Sequence, residues 1–70
     1  MKAETIHINK QTEYDSEFWR VYVHGIRYNN EYDVQIIIYN AHNKAVYNKN
    51  ITCKRVSTIN KIISPFGITL

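Results

Sequence analysis

The chain has one cysteine, one proline and two glycines in 70 residues. A lone Cys53 excludes a disulfide-stapled scaffold. So little glycine and proline excludes collagen-like and low-complexity linker chains. Long apolar runs are missing as well. The longest, Ile36-Ile37-Ile38-Tyr39, is four residues, against the ~20 needed to span a bilayer as a helix. Residues Met1 to Thr5 carry charge with no apolar stretch behind them, so no signal peptide is expected. A reducing, cytoplasmic location is the default expectation, in the host cell cytoplasm if the chain is phage-encoded.

Acids are absent from the second half. All six lie in residues 1–33, beside four bases, for a net −2. Residues 34–70 carry Lys44, Lys49, Lys54, Arg55 and Lys61 and no acid, for a net +5. That asymmetry predicts a basic patch formed by these five residues, suited to phosphates or to an acidic protein surface. An ordinary solvated lysine surface, or edge lysines that block strand addition, accounts for the same residues.

What is present fits a folded domain. Apolar residues make up 44% of the chain and aromatics 13%, too much for a disordered tail. The length allows one small domain over residues 1–70. A chain this short buries only ~60% of its unfolded surface, so its core is marginal unless packing is unusually good or a second chain helps. Ile, Asn, Lys and Tyr dominate the composition. Their codons are AT-rich, which points to an AT-rich genome. Six tyrosines supply the rigid, amphipathic area favoured at interfaces.

Periodicity gives the elements. Thr5 to Asn9 alternates as a short strand, and residues 10–17 read as a polar loop. Phe18 to Tyr28 is rich in β-branched and aromatic types, with Trp19, Val21 and Val23 apolar at odd positions. Asn29-Asn30 follows, and Asn tolerates the positive φ of a two-residue hairpin turn. Glu31 to Ala41 is the next strand, with Val34, Ile36 and Ile38 apolar at even positions. A turn at Asn29-Asn30 sets Val23 opposite Ile36 and Val21 opposite Ile38, so the two apolar faces coincide. On the other side Arg20 meets Tyr39, Tyr22 meets Ile37, and His24 meets Gln35. His42-Asn43 reads as a second tight turn, returning a strand over Lys44 to Cys53 with Tyr47 opposite Ile38 and Ala45 opposite Asn40. That pattern weakens at Asn48-Lys49-Asn50, as at a bulge, a bend or a strand end. Val56 to Ser64 reads as a short helix, with Val56, Ile59, Ile62 and Ile63 at helical spacing, Ser57 or Thr58 as N-cap and Pro65 as stop; a strand is the alternative, since Val, Thr, Ile and Asn are mediocre helix formers. Phe66 to Leu70 reads as a tail offering an apolar anchor. The expected class is α+β, a three- to four-stranded antiparallel meander with one short C-terminal helix. A small all-β barrel is the alternative.

No catalytic constellation emerges, and the chain reads as a non-enzyme. Asp15, Ser16 and Glu17 are neighbours in sequence, which does not make a triad. Gly25 and Gly67 stand alone, so there is no phosphate-cradling loop. His7, His24 and His42, with Cys53, show none of the close pair spacings of zinc motifs, so neither a metal nor a cofactor is expected. Cys53 reads as a small buried hydrophobe, although Lys54 and Arg55 beside it would favour a thiolate.

The aromatic side of the central hairpin is the candidate partner-binding surface: Arg20, Tyr22, Ile37 and Tyr39, with Tyr28 beyond them. A dimer mate or residues 56–70 covering that side instead would leave no such surface. The leading expectation is a small binding protein that modulates or inhibits another protein by surface contact. Size and composition suit a phage or mobile-element product acting on a host defence factor. The alternative is a β-sheet nucleic-acid-binding module, with Tyr22 and Tyr39 stacking on bases and the basic half meeting phosphates. In element order alone it resembles the small DNA-binding domains at integrase N-termini. A third reading is an assembly protein that forms homo-oligomers through its strand edges. No membrane contact is expected.

Overall fold

The computed structural model describes residues 3–70. The chain forms strands β1 (Glu4–Tyr14), β2 (Glu17–Tyr28), β3 (Glu31–Tyr39) and β4 (Ala45–Cys53). Helix α1 (Val56–Ile63) and a 3₁₀ turn (Ser64–Phe66) follow. The strands pair in sequence order, all antiparallel, as an open meander. This is the α+β arrangement. The barrel does not form, because β1 and β4 stay as edges and residues 56–63 are helical.

Turn chemistry fixes the two longest hairpins. Asn29 and Asn30 have φ of 52° and 60°, the double positive φ of a two-residue hairpin turn. The β2–β3 register is the expected one: Val23 faces Ile36, Val21 faces Ile38, Arg20 faces Tyr39, Tyr22 faces Ile37 and His24 faces Gln35. The same device recurs at Asp15 and Ser16, with φ of 55° and 63°. β1 does not end at Asn9, and residues 10–14 are not loop: they continue the strand, with Lys10 opposite Val21 and Thr12 opposite Trp19. An edge strand needs little apolar content, since its backbone bonds to β2 hold it.

Two further expectations were displaced. The β3–β4 connection is longer than a two-residue turn and is tied by Asn40. Its Oδ1 accepts from the backbone N–H of His42 (2.9 Å) and of Lys44 (3.0 Å). Tyr47 does face Ile38, but Ala45 faces Tyr39 rather than Asn40. The unpaired residue is Val46, a bulge next to the turn, while Asn48-Lys49-Asn50 pair regularly with Ile37, Ile36 and Gln35. At the helix, neither Ser57 nor Thr58 is the cap. Arg55 is the N-cap residue and makes no side-chain capping bond. α1 ends at Ile63, and Pro65 sits inside the 3₁₀ turn, where its missing N–H costs nothing.

The core lies between one sheet face and the C-terminal segment. Val21, Val23, Val34, Ile36 and Ile38 from the strands meet Ile59 and Ile63 of α1 and Ile68 of the tail. Ile59 and Ile63 are four residues apart, so they share one helix face. Phe66 closes one end against Trp19 and Tyr14, with ring centroids 5.4 Å away in both cases. Leu70 N–H donates to Asn60 Oδ1 at 2.8 Å. The tail is therefore the apolar anchor that its sequence indicated.

Candidate functional site

Strand alternation decides what the sheet shows to its surroundings. The even positions of β2 and the odd positions of β3 point away from α1, and the core residues all lie on the other side. Arg20 and Tyr39 stand opposite each other, with Tyr22 and Ile37 as the next outward pair. All four are therefore neighbours on one open face. Arg20 is exposed, and Tyr22, Ile37 and Tyr39 are partly so. Exposed Phe18, Ile26 and Tyr28 lengthen the same stripe along β2. Phe18 and Ile26 were legible as even positions of that strand, but the polar residues between them obscured the stripe.

Beside the stripe, β1 contributes His7, Asn9 and Gln11, and β4 contributes Asn48, Asn50 and Thr52, each paired with an outward residue of β2 or β3. Gln35 Nε2 donates to Asn48 Oδ1 at 3.1 Å. His7, Tyr22 and His24 form a ring cluster. Centroids are 5.7 Å apart for His7–Tyr22, 5.9 Å for His7–His24 and 6.0 Å for Tyr22–His24, the last pair near-parallel. No local motif announces this cluster, because it depends on the β1–β2 register.

The five bases are not brought together. Lys44 lies in the β3–β4 loop, while Lys54 and Arg55 follow the other end of β4. Nine residues of strand, about 30 Å, separate them. Lys49 faces Ile36 on the helix side of the sheet, its Nζ 5.7 Å from the Tyr47 ring centroid. Lys61 is exposed in the last turn of α1. Tyr22 and Tyr39 are on the opposite face from Lys49. Stacking bases on these tyrosines would therefore not bring phosphates onto that lysine.

Little else could carry chemistry. A cleft of about 100 Å³ opens at one end of the sheet, lined by residues that include Arg20, Trp19 and Asn40. Substrate pockets usually run from roughly 300 to 1,000 Å³. Among the described residues, no polar or charged residue is buried as a whole, and no three His, Cys, Asp or Glu side chains gather. Cys53 is half-buried against the core, its thiol donating to the Arg55 carbonyl at 3.4 Å. No helix among the described residues is long and apolar enough to cross a membrane. The chain matches no known protein family, no curated protein and no solved structure.

Proposed function

We propose that this protein is a non-enzymatic binding module that seats the outer face of its sheet on another protein and modulates or inhibits it. One observation carries the reading: α1 and the tail cover one face of the sheet and leave Arg20, Tyr22, Ile37 and Tyr39 contiguous on the other. Tyrosine and arginine are the residue types that concentrate binding energy at interfaces. The molecule extends 42 Å along its longest axis, and exposed Phe18, Ile26 and Tyr28 continue the face along β2. Composition and size suit a phage or mobile-element product that meets a host factor in the cytoplasm.

The experiment is affinity capture from host lysate with the wild type, a Tyr22→Ser/Tyr39→Ser variant and a Lys54→Glu/Arg55→Glu variant. The expected result is one stoichiometric protein, lost with the tyrosine variant and kept with the charge variant. Recovery of nucleic acid alone, or a partner lost only with the charge variant, overturns the proposal. Circular dichroism on each variant separates lost binding from lost fold.

A further inference from the structure

We propose that His7 and His24 form a two-imidazole site for a divalent transition-metal cation on the outer face of the sheet. They are 17 positions apart in the chain, so no local motif announces them, but the β1–β2 register sets them directly opposite each other. The Asp15-Ser16 turn also decides how close they come. In a two-residue hairpin the closing pair, here Tyr14 and Glu17, is hydrogen-bonded, and pairs then alternate along the ladder. His7–His24 falls on a non-hydrogen-bonded pair, where Cα atoms are only ~4.5 Å apart and side chains are closest.

The ring geometry fits a shared cation. The centroids are 5.9 Å apart. Zinc–imidazole bonds of about 2.0–2.1 Å at a tetrahedral angle place two ligand-ring centroids ~5 Å apart. Closing the difference takes under ~1 Å, within the reach of small side-chain rotations. The planes now meet at 83°, so one ring turns about its Cβ–Cγ bond to aim its nitrogen. Both imidazoles are exposed, so neither is locked by packing. Tyr22 limits how far they stray, edge-on to His7 and stacked on His24. Imidazole nitrogens suit Zn²⁺, Ni²⁺ and Cu²⁺ rather than Mg²⁺ or Ca²⁺. Two protein ligands leave two tetrahedral positions for water, so the site is open and exchangeable, unlike a closed four-ligand structural site. It also bridges edge strand β1 to β2, so an occupied site holds the outer strand in register.

The test is titration of the untagged chain with Zn²⁺, followed by the side-chain ¹⁵N and ¹H signals of all three histidines, together with thermal unfolding. The expected result is 1:1 binding that shifts His7 and His24 together, leaves His42 in place, and raises Tm as saturation is approached. His7→Gln and His24→Gln each weaken binding by at least about tenfold, because each removes the chelate. His42→Gln and Cys53→Ser leave it unchanged. Both candidate ligands are exposed, so their glutamine variants keep the fold, which circular dichroism verifies. Three results each overturn the proposal: no shift at millimolar Zn²⁺, binding retained in His7→Gln, or His42 or Cys53 shifting in step with the pair.

Discussion

Replacing Gly25 by alanine tests the sheet at its tightest point. Gly25 in β2 pairs with Val34 in β3 and with Ile6 in β1. A Cβ built there falls 2.1 Å from the Asp33 carbonyl oxygen and 2.6 Å from Val34 Cα. Ordinary contacts begin near 3.5 Å, and both obstacles are backbone, so β2 and β3 must part locally by roughly 1 Å. Counting from the Asn29-Asn30 turn, the flanking pairs His24–Gln35 and Ile26–Asp33 are the hydrogen-bonded ones. A 1 Å separation takes their N–H···O distances beyond useful range. Losing two to four such bonds at about 1 kcal/mol each gives a loss of about 3 kcal/mol. A domain of this size holds only about 4–10 kcal/mol in total. The expected fall in Tm is about 12–24 °C, read by circular dichroism, with faster amide exchange at His24 and Ile26. Gly67→Ala is the control. Its φ is +80° with no atom within 4 Å of the added Cβ, so it bears only the left-handed backbone penalty of about 1 kcal/mol. Gly25→Ala unfolding within 1 °C of the wild type would refute the close approach of β2 and β3.

The helix–sheet contact is tested by Ile59→Ala, which empties a site with no solvent exposure and is expected to cost about 2–4 kcal/mol in urea unfolding, against about 1 kcal/mol for Ile59→Val. Equal effects for the two would mean that α1 does not pack over Val21 and Ile36. The Asp15-Ser16 turn is tested by replacing both residues with Asn-Gly. If both positions hold positive φ, the variant gains about 0.5–1 kcal/mol. If residues 10–17 were a flexible loop, the added glycine would stabilise nothing.

The central hairpin was legible because its determinants are local and redundant. Asn29-Asn30 supplies the turn, and the independent apolar alternations of β2 and β3 agree only in the register observed. Ile59, Ile62 and Ile63 pointed to the helix for the same reason, since spacing along the chain carries the face. The outer-face residues Arg20, Tyr22, Ile37 and Tyr39 followed from that register. The five bases did not resolve in the same way. Their shared charge is visible in the sequence, but they lie on a loop, a strand, a strand end and a helix, and nothing local says how far apart those are.

By itself, the sequence determined the β2–β3 pairing, the residues that share each face of the hairpin, and the apolar spacing of residues 56–63; which face is covered, and that those residues are helix rather than strand, the fold decided. Only the tertiary structure decided the length of β1, the Val46 bulge, the uncapped start of α1 and the meeting of His7 with His24. The physical reason is the same throughout. An edge strand, a bulge and a cross-strand pair are held by backbone bonds to a neighbouring strand. Those bonds leave almost no trace in the side chains of the segment itself.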